Sequence, residues 1–159
     1  MLLRRRMSRA DRNTCYWKNK MARIGLDNCN CFAVRKAARR LTQTYDAKLA
    51  PSGIRSTQFM ILMALNRTEG LSVNALAEVM VMDRTTMGKN LQPLSRDGLI
   101  EIQVSKTDRR SRTITLTRKG AALLEQAYPL WRSAHDAFQQ AHGTKFSENL
   151  RAMLADVSR

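Results

Sequence analysis

The stretch of residues 83–116 constrains this chain more than any other, because a capped amphipathic helix runs directly into a short hairpin. Asp83 is a favourable helix N-cap, and Gly98 is a natural stop at the other end. Three large apolar residues recur at helical spacing and predict one buried face: Met87, Leu91 and Leu94. Residues 99–104 and 112–116 alternate in polarity and are rich in β-branched residues, so they predict two paired strands.

The other face of this predicted helix is polar and acid-poor, and its only acidic residue, Asp97, lies at the far end. At 3.6 residues per turn, the side chains opposite the apolar face are Thr85, Lys89, Gln92 and Arg96. Thr86 lies in the first turn, where backbone N–H groups favour phosphate. Lysine can reach guanine acceptors, and glutamine or Asn90 can pair with adenine. This face therefore suits a DNA major groove, although a solvated helix face remains the simpler alternative.

The turn of the predicted hairpin is rich in arginine. Asp108, Arg109, Arg110 and Arg112 fall within five consecutive positions. Arginine favours the negative potential of a narrow minor groove, and an aspartate can orient a neighbouring guanidinium by paired hydrogen bonds. The turn therefore predicts a second DNA contact, and a merely solubilising basic turn is the alternative.

The charge balance favours a polyanionic partner. The chain has 28 Lys+Arg against 13 Asp+Glu, a formal net charge of +15. Nucleic acid is the usual partner of such a field. No segment approaches the roughly 20 apolar residues needed to span a bilayer, and Met-Leu-Leu-Arg-Arg-Arg at the start is not a secretory signal. An odd number of cysteines makes a poor disulfide framework, so we expect a cytoplasmic protein without a membrane partner.

Helices are predicted on both sides of this central region. The first apolar stripe runs through residues 34–49, Ser56 or Thr57 can cap a second helix, and Ser72 a third. After the hairpin, Thr117 opens a long helix whose stripe spans residues 124–142, and a shorter helix closes the chain. Terminal helices with an uncovered apolar stripe usually meet a second copy, so we expect a homodimer.

Enzyme chemistry is not indicated. His135 and His142 are seven residues apart on one helical face, too far for the i, i+4 spacing of a single-metal pair. The sequence contains no glycine-rich phosphate loop, nucleophile elbow or paired-cysteine metal motif. We therefore expect no catalytic residue, no metal and no cofactor.

Two cysteines are candidates for a redox function. Cys29 and Cys31 flank the expected start of the first long helix, whose positive end favours anions. They could sense oxidants singly or across a dimer, but side chains two residues apart on a helix diverge, which disfavours a disulfide between them. The simpler interpretation is that both are small buried hydrophobic residues.

Several short stretches, taken in this order and spacing, resemble the MarR family of bacterial winged-helix repressors. They are Arg35-Lys36-Ala37-Ala38-Arg39, Tyr45-Asp46-Ala47-Lys48-Leu49-Ala50, Gln58-Phe59-Met60-Ile61-Leu62, Leu76-Ala77-Glu78, Asp83-Arg84-Thr85-Thr86, Asp108-Arg109-Arg110 and Leu116-Thr117-Arg118-Lys119-Gly120. The resemblance implies an obligate homodimer on a pseudo-palindromic operator, released from double-stranded DNA by a small-molecule or redox cue. It also implies that Thr85, Thr86 and Lys89 are major-groove residues, that Arg110 is the wing-tip arginine and that Asp108 orients it.

The sequence departs from the family at three positions. Lys89 stands where arginine is common, and Gly88 where a hydroxyl residue is frequent. Val81 occupies the turn between the third and fourth helices, where glycine is usual. Because a β-branched residue is strained at positive φ, we expect that turn to have a different conformation.

The predicted fold is mainly α with a small β-wing: a winged helix-turn-helix with dimerisation helices from both ends of the chain. We expect residues 1–28 to form a loosely ordered basic extension, 29–55 a dimerisation helix, 56–118 the DNA-binding region and 119–159 further dimerisation helices.

The predicted function is a homodimeric repressor released by a small molecule. The alternatives are a thiol-based redox sensor and a sequence-tolerant architectural DNA-binding protein. The predicted DNA-binding residues are Ser72, Thr85, Thr86, Lys89, Asn90, Gln92, Arg96, Asp108, Arg109, Arg110 and Arg112. The effector site is not predicted.

Overall fold

A computed structural model describes residues 25–104 and 112–158. Contacts divide the chain into two units, Met1–Leu41 and Thr42–Arg159. In the first unit, a 3-10 turn at Leu26–Asn28 precedes helix α1, Asn30–Leu49, which continues into the second unit. The part of the predicted basic extension up to residue 24, and the hairpin turn at 105–111, lie outside the described residues.

The second unit is mainly helical and contains one small sheet, as the sequence predicts. After a 3-10 turn at Ala50–Ser52, its elements are α2 (Ser56–Leu65), β1 (Leu71–Ser72), α3 (Val73–Val79), α4 (Arg84–Arg96), β2 (Ile100–Val104), β3 (Arg112–Leu116), α5 (Arg118–His142) and α6 (Thr144–Val157). Helices α3 and α4 form the helix-turn-helix, and β2 and β3 form the wing.

The sheet is antiparallel with strand order β1-β3-β2. Ile114 in the middle strand faces Leu71 on one side and Ile102 on the other. The hairpin of β2 and β3 is confirmed, whereas β1 was not predicted. Its two residues are too short to show the alternation that identifies a strand.

The core of this unit lies between the helix-turn-helix, the sheet and α2. Helix α2 is apolar around most of its circumference, which explains why it is deeply buried. The side chains with almost no exposed surface are Phe59, Leu49, Ile61, Leu62, Leu65, Leu76, Met87, Leu94 and Ile114. Each such side chain contributes about 1.5–3 kcal/mol of transfer free energy, so this cluster is the main source of stability.

Three predicted helix caps are confirmed and one is wrong. Ser72, Asp83 and Thr117 each accept a hydrogen bond from a backbone N–H in the first turn of the helix that follows. Ser56 or Thr57 was expected to cap α2, but both lie inside it, and Ser56 is the first residue of the helix. Its backbone N–H instead donates to Asp46 Oδ1 at 2.7 Å, so a carboxylate from α1 supplies the acceptor that a serine hydroxyl was expected to provide.

Val81 shows that the turn between α3 and α4 keeps its usual conformation despite its β-branched residue. Its φ is +50°, which contradicts the expectation of a different turn. Val81 N–H donates to Glu78 O and Met82 N–H to Ala77 O, the paired bonds of a Schellman motif. Gly98 occupies the equivalent position after α4, with φ of +70°. The hydrogen bonds and the packing of both helices therefore hold Val81 in a strained conformation.

Replacing Val81 with glycine should stabilise the protein. Val81 is 75% exposed, so little buried surface is lost. Relief of left-handed strain, less the extra entropy of glycine in the unfolded chain, leaves a gain of about 1 kcal/mol. Urea unfolding of Val81→Gly measures it. Val79→Gly, at an exposed helical position, is the matched control and should lose stability. A Val81→Gly protein no more stable than the parent would show that the turn is not strained.

Candidate nucleic-acid interface

Helix α4 presents its polar face to solvent. Thr85, Lys89, Gln92 and Arg96 are all exposed, while Met87, Leu91 and Leu94 on the opposite side are buried. The apolar side fixes the rotation of the helix about its axis, because turning it would expose all three core residues. The predicted division of the helix into a buried and an open face is therefore confirmed.

The start of α4 is held by an anionic cap. Asp83 accepts hydrogen bonds from Thr86 N–H at 2.8 Å and from the Thr86 hydroxyl at 2.6 Å. These bonds, the hydroxyl first, lower the pKa of the Asp83 carboxyl below its usual value of 3.8. A lowered pKa means that the carboxylate stabilises the fold above that value and loses this effect as the pH falls through it in acid. Near neutral pH the Thr86 hydroxyl is committed to Asp83 as a donor, and its oxygen remains an acceptor.

Two other predicted residues already have partners within the protein. Asn90 is half-buried, and its Nδ2 donates to Thr86 O at 2.9 Å. Arg96 Nε donates to Asp97 Oδ1 at 3.0 Å, and this bond raises the pKa of the arginine. The other predicted residues on this face, Thr85, Lys89 and Gln92, are exposed.

The end of α4 is fastened to the first turn of α5. The Thr117 hydroxyl donates to Gly98 O at 2.8 Å, and Lys119 Nζ donates to Asp97 O at 2.8 Å. A lysine is favourable here because carbonyl groups and the negative end of the dipole meet at a helix C-terminus. Gly120 follows, and a Cβ at that position would lie 2.0 Å from Leu99 O. We call these contacts the α4–α5 joint. Sequence reasoning missed Lys119 and Gly120 as positioning residues, although both stand in a motif it had recognised.

The remaining predicted DNA-binding residues lie outside α4. Ser72 is half-buried, and its hydroxyl oxygen accepts the cap bond from Ala75 N–H at 3.1 Å. Arg112 is exposed at the start of β3, opposite Val104. Asp108, Arg109 and Arg110 lie outside the described residues.

The histidines and cysteines do not form a metal site in the part of the chain that the structure describes. His135 stacks on Trp131 with ring centroids 5.3 Å apart, and His142 contacts Phe138 and Phe146. Cys29 and Cys31 are free thiols and exposed, so the expectation of small buried residues is wrong for this chain on its own. Among the described helices, none is long and apolar enough to cross a membrane.

An open apolar pocket of about 480 Å³ lies beside the helix-turn-helix. Trp131 of α5, stacked on Phe59 with ring centroids 5.8 Å apart, forms one side. Met60, Met63 and Met80 contribute flexible thioether side chains. Among the described residues that line it, Arg67 carries the one charge.

The comparisons with known proteins agree with this geometry. A model described as the MarR family matches residues 52–111. The organic hydroperoxide resistance transcriptional regulator of Bacillus subtilis is 33% identical over 110 residues, which cover 69% of this chain and 75% of that protein. The chain belongs to the MarR family. It is therefore a DNA-binding transcriptional regulator and not an enzyme.

Two solved structures place the MarR fold beside DNA. The transcriptional regulator MosR of M. tuberculosis, in complex with DNA, is 35% identical, with a TM-score of 0.75 over 82% of this chain and 93% of that one. The transcriptional repressor CouR, bound to a 23-mer DNA duplex, is 28% identical, with a TM-score of 0.76 over 84% and 95%. This MarR-family chain thus shares its winged-helix fold with regulators that were solved on DNA.

Proposed function

We propose that this protein is a cytoplasmic, homodimeric repressor that reads a pseudo-palindromic operator with α4. The observation that carries the proposal is the open face of α4, where Thr85, Lys89 and Gln92 stand exposed between a fixed start and a fixed end. Such a face can enter a major groove and reach base edges. The formal net charge of +15 supplies the attraction to phosphate that precedes recognition of the bases.

We divide the other predicted residues by role. Arg112 and the wing residues Asp108, Arg109 and Arg110 would read groove shape and phosphate, because arginine suits a narrow minor groove. Ser72 and Arg96 would contact phosphate near the groove edges. Asn90, whose amide nitrogen donates to Thr86 O and contacts Met82 Sδ, would support the start of the helix and offer its side-chain oxygen to DNA.

Lys89→Ala should reduce discrimination more than overall attraction to DNA. An ammonium in the middle of the groove face reads guanine acceptors, and losing that contact costs about 1–3 kcal/mol of discrimination. The two duplexes to compare are the tightest one recovered from a random pool and a shuffled duplex of the same composition. We expect the difference in affinity between them to be smaller for Lys89→Ala than for the wild type. Competition binding at one fixed salt concentration measures that gap.

Lys145→Ala is the matched control, because it removes the same charge from an exposed lysine of α6. It should weaken binding to both duplexes slightly and leave the gap unchanged. If Lys89→Ala lost affinity equally on both duplexes, α4 would be a phosphate clamp. The protein would then be better described as a sequence-tolerant architectural DNA-binding protein than as a sequence-specific repressor.

The dimer is proposed from an apolar face on α6. Phe146, Met153, Leu154 and Val157 fall on one side of this helix and are 50%, 60%, 37% and 77% exposed. Exposed apolar residues are ordinary when scattered, but four on one helix face form a contiguous surface that water disfavours. In the first unit, Val34 on α1 is also exposed, at 43%. A twofold dimer in which both ends of the chain take part would cover both helices.

Met153→Arg should weaken the dimer, because it would bury an unpaired charge in the proposed interface. Ala155→Arg is the matched control: it adds the same charge on the opposite side of α6, at an exposed position. Sedimentation equilibrium should show a raised dissociation constant for Met153→Arg and an unchanged one for Ala155→Arg. Equal dimer stability in both variants would exclude this face.

The small-molecule effector is proposed to occupy the apolar pocket beside the helix-turn-helix. Its lining of methionine and aromatic side chains favours an apolar, aromatic ligand, and Arg67 favours an acidic group on it. Trp131 lies on α5, whose first turn holds the end of α4 in the joint. A ligand that displaces Trp131 would therefore act through α5 on α4, the proposed recognition helix.

A thiol-based sensor is the second candidate, because Cys29 and Cys31 are exposed and a relative is named for organic hydroperoxide resistance. Oxidation would then take the place of ligand binding as the signal for release. The two candidates differ in the residues that they require, so separate variants distinguish them.

Anilinonaphthalene sulfonate, an aromatic anion, should bind the wild-type pocket and weaken DNA binding. Met63→Trp fills the pocket and should abolish both effects while DNA binding without the probe persists. The matched control is the double variant Cys29→Ser, Cys31→Ser, which should respond as the wild type does. Release by an organic hydroperoxide that persists in Met63→Trp and disappears in the double variant would favour the thiol sensor.

A further inference from the structure

Gly88 lies within α4, the proposed recognition helix, although nothing in the free protein requires a glycine there. It is in the middle of α4, and its φ is not positive, so the backbone does not require glycine there. A Cβ built at Gly88 would meet nothing within 4 Å. Packing therefore does not require glycine either, in contrast to Gly120 against Leu99 O.

Glycine at this position weakens the helix. Inside a helix it costs about 0.5–1 kcal/mol relative to alanine, because the unfolded chain loses more freedom on folding. The open space around Gly88 would accept a methyl group at no steric cost. The free protein would thus be more stable with alanine, so the missing side chain needs an explanation outside the free protein.

The position of Gly88 on the helix indicates that explanation. At 100° per residue, Gly88 lies on the flank of the exposed face, between Thr85 one turn before it and Gln92 one turn after it. Both neighbours are exposed. A bare backbone at this point lets a neighbouring surface approach the helix axis more closely than any side chain would allow.

We infer that Gly88 is a specificity-determining residue, the point at which the operator approaches α4 most closely. This inference rests on the proposed reading of DNA by α4. The missing side chain lets the helix sit deeper in the major groove, so that Thr85, Lys89 and Gln92 reach base edges within hydrogen-bonding distance. The group packed against Gly88 is a thymine 5-methyl, the apolar group that the groove floor presents.

The inference predicts that stability and affinity change in opposite directions. Gly88→Ala should raise the thermal unfolding midpoint by a few degrees, which is the shift expected from its helix propensity. It should also weaken binding to the tightest selected duplex by about tenfold or more, comparable to one lost base contact. Gly88→Leu, with its larger side chain, should bind more weakly still.

Ser133→Ala is the matched control. It raises helix propensity at an exposed position of α5, so its midpoint should rise and its DNA affinity should stay the same. Duplexes with deoxyuridine in place of thymidine, one position at a time, identify the contacted group. At one position the wild type should lose affinity, and Gly88→Ala should lose much less.

Gly88→Ala with unchanged or tighter DNA binding would overturn the inference, because the glycine would then be a tolerated weakness of the helix. A loss of affinity in Gly88→Ala that no deoxyuridine position reproduces would also overturn it, since the contact would be with the sugar-phosphate backbone. Failure of the wild type to prefer any duplex would instead contradict the proposed function.

Discussion

The contact between Gly120 and the Leu99 carbonyl is the constraint on which the rest of the structure depends. It is possible only without a Cβ, and it brings the first turn of α5 against the chain where α4 ends and the wing begins. Thr117 and Lys119 can then donate to Gly98 O and Asp97 O. A short helix of 13 residues would be marginal alone, and this joint gives it a fixed end. Its direction relative to the wing follows from the same contact.

Helix α4 is thus fixed at both ends and along one side. Asp83 holds its start, the joint holds its end, and Met87, Leu91 and Leu94 hold its rotation. The polar face is open to solvent because the apolar side of the helix is buried in the core. This arrangement pre-organises the backbone of the helix, which lowers the entropy that its ordering would cost on binding. The same joint connects α4 to α5, the helix that carries Trp131 of the apolar pocket.

The sequence predicts the elements well because their signals are local. Apolar periodicity identifies α1 and α4, and Ser72, Asp83 and Thr117 mark helix starts by their own side chains. The errors lie where distant residues decide. Asp46 caps α2 from ten residues away, and β1 exists only because β3 pairs with it. Val81 keeps a strained φ because two packed helices require the turn. The roles of Lys119 and Gly120 were missed because they depend on contacts with residues about 20 positions earlier, near the end of α4.

A hydroxyl-radical footprint of the full chain on its tightest selected duplex tests the central claim most directly. If two copies of α4 enter successive major grooves, protection should fall in two equivalent patches, symmetric about a dyad and about one helical turn of 10 base pairs apart. Lys89→Ala should weaken both patches together. Uniform protection along the duplex, or one patch without a symmetric partner, would contradict a dimeric regulator that reads DNA with this helix.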